Sequence, residues 1–345
     1  MNKLKYLGAF FSPLLSILSF NLNGIWAFSG VFFLYILVPI LEQYLPKNTY
    51  NLSKEEKELA KEDKFYDWIL FLLVPFQLLV VYYYLTTLTK PNISLLEIIG
   101  YTMMMGTILG INGINGGHEL GHKTDHPVKL FLAHILLMTS LQNHFMTYHN
   151  SGHHRDVATP NDLTTAKKGQ NFYVFAIQSQ IGGYFKTWKL ENEKLKKKGQ
   201  SLLLNPMILT TLIPWSFQAI IFFYFGYIIG GFYLLASIFG ISILESQNYF
   251  SHYGLKRKLK EDGSYERVKA QHSWNSDHLI GRILLFELTR HSDHHFAGAK
   301  PYQILDSKDN SPLLPFGYPA MLLMGYFPFI FKPIMEKQLA KYQMD

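Results

Sequence analysis

The hydrophobic pattern of the chain is dominated by apolar runs that are much longer than those of ordinary core helices. Six runs approach the length of about 20 residues that a helix needs to cross a bilayer. They predict transmembrane helices at about residues 6–22, 25–44, 66–88, 95–115, 205–225 and 227–247. We therefore expect an all-α integral membrane protein with six spans, in which residues 1–345 form a single membrane-embedded domain.

The polar segments are expected on one side of the membrane. The connections at residues 23–24 and near Gly226 are long enough only for turns, which predicts two helical hairpins. Of the 32 Lys and Arg residues, only Lys90 lies in a loop on the opposite side. The positive-inside rule then places both termini and the segments 116–204 and 246–345 in the cytosol. A multi-pass protein of the inner (cytoplasmic) membrane is expected.

Two apolar segments allow a second interpretation. A signal peptide is the alternative for the first run, but no small-residue cleavage site follows it and the second run begins at once. The run at residues 128–146 contains polar side chains, and one more crossing there would put His118 and His149 on opposite faces. We interpret residues 128–146 as buried or interfacial.

The amino-acid composition excludes several kinds of cofactor site. The chain has no cysteine, which excludes an iron-sulfur cluster, a haem-thiolate site, a zinc ribbon and disulfides. No glycine pair has the strand and helix context of a nucleotide-binding loop, and no nucleic-acid partner is expected. A metal transporter would carry ionisable groups inside its spans, and these spans have almost none.

Histidines provide the main chemical signal, since all 14 lie at or after His118. Nine of them stand in tight groups, at His118, His122, His149, His153, His154, His252, His291, His294 and His295. Helical spacings of three and four residues point the imidazoles of HELGH, HNSGHH and HSDHH toward one face each. Nine ligands exceed the needs of one ion, and an imidazole set suits iron, so the pattern predicts a di-iron site on the cytosolic side.

A competing interpretation of HELGH is the HExxH motif of a zinc protease, with Glu119 as the general base. It needs only one further ligand and leaves the other histidine groups unexplained. The isolated His126, His134 and His144 are expected to fill ordinary polar roles.

Several motifs resemble those of the integral-membrane alkane 1-monooxygenases, the alkane omega-hydroxylases. They are HELGHK from His118, YHNSGHHRDVATPND from Tyr148, LESQNYFSHYGLKR from Leu244, HSWNSDH from His272 and LTRHSDHH from Leu288. The resemblance continues in the same order to PYQILDSKDNSPLLPFGYPAM from Pro301. It implies that two non-heme irons, bound by the nine clustered histidines, activate O2 and convert an alkane to a 1-alkanol. It also implies electrons from rubredoxin, supplied by an NAD(P)H-dependent rubredoxin reductase.

Two positions depart from the family pattern. Tyr148 and Ser251 stand where the family has glutamates that precede histidines, so two carboxylates are lost. Other groups are then expected to support the metal ligands, and the candidates are Glu119, Glu245, Asn248, His278 and Asp293.

An alkane offers no polar group, so its site is expected to be an apolar tunnel that opens from the bilayer core. Candidate lining residues are Trp26, Phe33, Tyr83, Met104 and Gly110. Lysines and arginines of the cytosolic segments predict either docking of an acidic electron carrier or contact with anionic lipid, and both interpretations remain open.

Related di-iron chemistries are the main alternatives. Fatty-acyl desaturases and lipid hydroxylases use similar histidine boxes, but the spacing of His149 and His153 and the HYGL and HSWNSDH segments favour the alkane pattern. An enzyme that hydroxylates the methyl groups of alkylaromatics stays open, given Tyr148 and Ser251.

Overall fold

The computed structural model describes residues 3–342, which are helical apart from turns, connections and two isolated β-bridges. The α-helices are α1 (Phe11–Ser19), α2 (Gly24–Tyr44), α3 (Lys54–Glu62), α4 (Phe65–Thr87), α5 (Leu95–Gly121), α6 (Pro127–Thr139), α7 (Asn143–Tyr148), α8 (His154–Asp156), α9 (Phe172–Ile177), α10 (Gly183–Lys197), α11 (Pro206–His252), α12 (Leu279–Leu284), α13 (His291–Phe296), α14 (Tyr318–Gly325) and α15 (Pro328–Lys341). Short 3₁₀ helices cover Lys3–Phe10, Leu202–Leu204, Ala270–His272 and Tyr302–Ile304. Separate π-helical turns occupy His149–His153 and Gln178–Gly182.

Four helices, α2, α4, α5 and α11, are long and apolar enough to cross a membrane. They contain 21, 23, 27 and 47 residues, and many of their large apolar side chains are exposed, as expected for a surface in lipid. The expectation of an all-α, multi-pass membrane protein is thereby confirmed. The predicted span at 6–22 consists of Lys3–Phe10 and α1, which are shorter than these four helices. The count of six spans stays a prediction.

Helix α11 folds back on itself at Gly226. This residue has φ +81°, outside the helical region, and glycine adopts that conformation without steric cost. The Nε2 of Gln218 donates a hydrogen bond to the carbonyl of Gly230 at 3.0 Å, a contact that a straight helix would not allow across 12 residues. Residues 206–225 and 227–252 are therefore the two arms of a hairpin, with the bend where the sequence predicts it.

Glycines allow the backbones of α5 and the second arm of α11 to approach closely. A Cβ at Gly106 would lie 2.6 Å from the carbonyl oxygen of Ala236, and one at Gly240 would lie 2.9 Å from the carbonyl oxygen of Gly106. Small residues of this kind are typical of helix contacts in membranes, where close van der Waals packing replaces the hydrophobic effect. The pairing aligns the ends of both helices, which carry His118 and His252.

A π-helical stretch at Leu109–Gly116 interrupts α5 just before its histidines. Such stretches widen the helical turn and occur often at functional sites. The helix continues to Gly121, beyond the predicted end at residue 115, so that His118 lies on it. Gly117 packs against α6, since a Cβ there would lie 2.7 Å from the Cγ of Leu137.

Candidate metal centre

The first group of histidines forms where the end of α5 meets the π-helical turn His149–His153. The Nε2 atoms of His118 and His122, one helical turn apart, are 2.9 Å from each other. The Nε2 of His149 lies 2.9 Å from that of His118 and 2.9 Å from that of His154. His149 and His154 are five residues apart, and the wider π-helical turn brings them to one face.

The second group joins the end of α11, the helix α13 and the remaining histidine of the π-helical turn. The Nε2 atoms of His252 and His291 are 3.1 Å apart, and those of His291 and His295 are also 3.1 Å apart. His153 completes this group, with its Nε2 3.2 Å from that of His295.

His294 lies between the two groups. Its ring centroid is 4.8 Å from those of His118 and His122 and 4.9 Å from that of His154. Its Nε2 is buried and has no hydrogen-bond partner among the described residues. A buried nitrogen without a partner costs free energy, which a metal ion at this point would offset.

The chemistry of these nine side chains fits a bound transition metal. Possible ligand nitrogens lie within 4.8 Å of one another in three overlapping sets, which are His118, His122, His149 and His294; His153, His252 and His295; and His154, His294 and His295. Burial, aided by neighbouring rings, lowers the pKa of His149, His291 and His294 well below the usual value. These imidazoles are therefore neutral at neutral pH, which is the form that binds a metal.

Asp162 supports the histidines from outside, although no sequence motif predicted this role. Its Oδ2 accepts a hydrogen bond from the Nδ1 of His153 at 2.8 Å, which directs the Nε2 of that ring inward. Carboxylates commonly hold the second nitrogen of a metal-bound histidine in this way. The sequence does place an aspartate in the loop after HNSGHH. Its spacing from the histidines does not show whether that loop turns toward them.

The five predicted supporting residues are all buried but occupy different places. Glu119 accepts the backbone N–H of Tyr302 at 3.2 Å, and Asp293 pairs with Lys300 at 2.5 Å. Glu245 accepts a hydrogen bond from Gln180. The two remaining candidates are Asn248, which lines the cavity described below, and His278, whose Nδ1 lies 2.9 Å from the Oγ of Ser276.

The two positions that depart from the family pattern have defined partners. The hydroxyl of Tyr148 donates to Asp162 Oδ1 at 3.1 Å, so this residue reaches the carboxylate that holds His153. Ser251 accepts a hydrogen bond from the Nε2 of Gln247 at 2.9 Å.

A cavity extends along α5 and α11 to the histidines. Its lining is mostly apolar and consists of Gly110, Ile111, Ile114, Asn115, His118, Phe145, His149, Ile243, Leu244, Gln247, Asn248, Leu285, Leu288, His291, Tyr318 and Leu322. Gly110 lies eight residues before His118, about 12 Å along the helix, so the cavity reaches from mid-helix to the clustered histidines.

The predicted tunnel residues are only partly brought together. Gly110 lines this cavity. Met104 is fully buried in the core, and Phe33 and Tyr83 are partly buried against it. Trp26 is 69% exposed on the apolar surface of α2. These four described residues do not contribute to the cavity wall.

Comparison with known proteins agrees with the resemblance to alkane 1-monooxygenases. The sequence model of the fatty acid desaturase family matches residues 93–323. The alkane 1-monooxygenase of Ectopseudomonas oleovorans is 34% identical over 339 residues, which cover 96% of this chain and 83% of that protein. Alkane 1-monooxygenase 1 of Alcanivorax borkumensis is 33% identical over 92% of this chain and 79% of its own length.

A more distant relative is the hydroxylase component of the xylene/toluene monooxygenase of Pseudomonas putida. It is 28% identical over 244 residues, which cover 70% of this chain and 64% of that protein. The alkane enzymes are thus matched at higher identity and over more of their length than the aromatic one. With its desaturase-type histidine region and these relatives, the chain belongs to the alkane 1-monooxygenase family.

Proposed function

We propose that this protein is a membrane monooxygenase that inserts one oxygen atom of O2 into the terminal C–H bond of an alkane. The observation that carries the proposal is the apolar cavity that ends at His118, His149 and His291. An apolar space that leads to metal-ligating imidazoles suits a substrate without polar groups. The alkane 1-monooxygenases that this chain resembles support the same substrate class.

We assign the nine histidines as the ligands of two iron ions, which would supply reductive activation of O2 and an oxidant for an unactivated C–H bond. The reaction consumes one alkane, one O2, two electrons and two protons, and yields one alkanol and one water. These 345 residues contain no cysteine that could hold an iron-sulfur or rubredoxin-type centre, so the proposal includes an electron donor outside this sequence.

The side chains of the cavity position the substrate by shape. Phe145 packs against the rings of His118 and His149, with centroids 6.2 and 5.0 Å away. The amide of Asn115 donates to the carbonyl of Leu285 at 3.1 Å, so this polar group is engaged by the protein. Apolar walls beside the imidazoles would exclude water and leave the terminal methyl as the group nearest the centre.

We further propose six spans, with the termini and the metal centre in the cytosol at the inner membrane. The proposed electron donor is rubredoxin, reduced by an NAD(P)H-dependent reductase. A polar cleft lined by Lys167, Lys256 and Arg257 also contains Asp162, the residue that holds His153. Positive charge at a cleft so close to the histidines would attract an acidic carrier.

Methyl groups of alkylaromatics are a second candidate substrate. The similarity to the xylene/toluene monooxygenase component favours it, and Phe145 and Tyr318 place aromatic rings in the cavity wall. Acyl chains are a third, since the family model is that of fatty acid desaturases.

Competition between substrates tests the proposal. The purified protein, supplied with O2, a reduced rubredoxin and its reductase, would receive equal amounts of octane, p-xylene and a fatty acyl substrate. We expect 1-octanol as the main product. If 4-methylbenzyl alcohol predominates, the protein is instead a hydroxylase of alkylaromatic methyl groups. If an unsaturated acyl product predominates, it is instead an enzyme that acts on acyl chains.

A further inference from the structure

We propose that Tyr148 is a positioning residue that acts through Asp162 on His153 and thereby sets the reduction potential of the metal centre. The inference rests on the proposed metal-binding function. It concerns a residue at which this chain departs from the pattern of its family, and it gives that residue a role that differs from metal ligation.

The hydrogen bonds around Tyr148 define the direction of its hydroxyl proton. The backbone N–H of Leu163 donates to the Tyr148 oxygen at 3.1 Å, so this oxygen is the acceptor there. Its own proton is then free to point to Asp162 Oδ1, 3.1 Å away. A carboxylate can only accept, so the direction of the bond from Tyr148 to Asp162 is unambiguous.

Packing holds the ring of Tyr148 in place. A Cβ at Gly152 would lie 2.6 Å from the Cε2 of this ring, and one at Gly183 would lie 3.7 Å from its Cδ1. The Nζ of Lys186 lies over the ring of Tyr148, 5.7 Å from the ring centroid. Because glycines flank the ring, the hydroxyl position is determined by the surrounding backbone.

Asp162 shares its charge among several donors. Its Oδ1 accepts from the hydroxyls of Tyr148 and Thr164, at 3.1 and 2.8 Å. Its Oδ2 accepts from the Nδ1 of His153 at 2.8 Å and from the hydroxyl of Thr165 at 2.6 Å. Thr164 also lies 2.5 Å from the Nδ1 of His153. Each additional donor reduces the negative charge that Asp162 directs at His153.

This sharing has a definite electronic consequence. A carboxylate that pulls on the N–H of a ligating imidazole makes that imidazole a stronger electron donor, which favours the oxidised metal. Removal of the Tyr148 hydroxyl leaves more charge on Asp162 for His153. The reduction potential should therefore fall in Tyr148→Phe. Asp162→Asn removes the charge and should raise it.

The test is a redox titration of the iron-loaded protein that is monitored by Mössbauer or EPR spectroscopy. Iron content is measured on the same samples. Tyr184→Phe is the matched control, because the Tyr184 hydroxyl contacts Thr211 at 2.9 Å in the same region without reaching Asp162. We expect a more negative potential in Tyr148→Phe, a more positive one in Asp162→Asn, and no change in Tyr184→Phe.

The outcomes separate the two proposals. Iron-loaded wild type together with an unchanged potential in Tyr148→Phe, or shifts of the same sign in Tyr148→Phe and Asp162→Asn, would overturn the role of Tyr148 while the metal centre stands. Wild-type protein that binds no iron would overturn the proposed function itself. Phenylalanine retains the packed ring, so loss of folding is not expected to obscure the comparison.

Discussion

At the scale of single residues, the arrangement of the nine histidines depends on one π-helical turn, His149–His153. The motifs led to the nine that converge, and left out His144, which packs 5.2 Å from Tyr184. The pairing of His149 with His154, and the turn of His153 toward the other group, depend on a π-helical turn. Periodicity assumes a regular α-helix and therefore could not show this arrangement.

His294 provides the first prediction, because its Nε2 is buried without a partner between the two groups. We expect His294→Ala to reduce iron affinity by at least the factor of about 10 to 100 that is typical for changes beside a metal site. Iron content after dialysis against a chelator measures the effect.

His144→Gln is the control for this comparison. Burial lowers the pKa of His144 to about 4, so the ring is neutral, as glutamine is. Iron retention should match that of wild type. Equal iron loss in both variants would indicate a general disturbance of the fold and would contradict the assignment of His294.

At the scale of helices, the apolar runs predicted the positions of α2, α4 and α11 to within a few residues. Helix α5 continues to Gly121, beyond the apolar run at 95–115. The π-helical stretch at Leu109–Gly116 packs against α6 through Gly116, where a Cβ would lie 3.2 Å from the Cδ1 of Leu136, and a local pattern does not contain this tertiary contact. The same limit applies to Asp162, whose partner depends on the course of a loop.

The bend of α11 gives a second prediction. Gly226 has φ +81° and ψ 170°, a conformation that is essentially restricted to glycine, and another residue held there costs about 1–3 kcal/mol. Gly226→Ala should therefore lower the thermal stability of the detergent-solubilised protein. Gly231→Ala is the matched control, because Gly231 is helical with open space at its Cβ, and alanine favours helix by about 1 kcal/mol. Stability losses of equal size would contradict the hairpin.

The cavity between α5 and α11 gives a third prediction. Ile243 faces Gly110, since a Cβ at Gly110 would lie 3.3 Å from the Cβ of Ile243. Ile243→Phe should narrow the part of the cavity distant from the histidines and shift the product profile to shorter alkanols. Ile243→Ala should shift it to longer ones, as measured by gas chromatography with a mixture of alkanes.

Ile238→Ala serves as the control on the same helix, because Ile238 is 53% exposed on the apolar surface. Its product profile should equal that of wild type. Identical profiles for all three variants would show that this cavity does not hold the alkane.

At the scale of the whole molecule, a buried ionic cluster connects the N-terminal segment to the metal centre. Glu287 pairs with Arg282 at 2.5 Å and with Lys5 at 2.9 Å, and it accepts a hydrogen bond from Tyr6 at 2.7 Å. It lies four residues before His291. The contacts of Glu287 with Lys5 and Tyr6 span more than 280 positions of the chain, so no local sequence pattern could predict them.

The cluster gives a prediction for pH. Burial raises the pKa of Glu287, but Arg282, Lys5 and Arg290 outweigh it, and the net pKa lies below the usual value. A lowered carboxyl pKa contributes stability above the unfolded value of about 4.3, and that contribution is lost as pH falls through the folded pKa. Glu287→Gln should destabilise the protein by about 3–5 kcal/mol at pH 7.

The difference between wild type and Glu287→Gln should narrow below about pH 4. Thermal unfolding from pH 3 to pH 8 measures it. Glu58→Gln is the control, since the pair of Glu58 with Lys61 is exposed and is expected to contribute about 0–1 kcal/mol. A constant difference across the pH range would contradict the ionic role of Glu287.

Alkane hydroxylation at a di-iron centre is tested by the metal content of the purified wild-type protein, measured together with its product from octane and ¹⁸O2. We predict about two irons per chain, bound by the nine histidines, and 1-octanol that carries one ¹⁸O atom. One zinc per chain with peptide cleavage would instead favour the HELGH protease interpretation. Two irons without labelled alkanol would contradict alkane hydroxylation, and only the proposal of a di-iron centre would still hold.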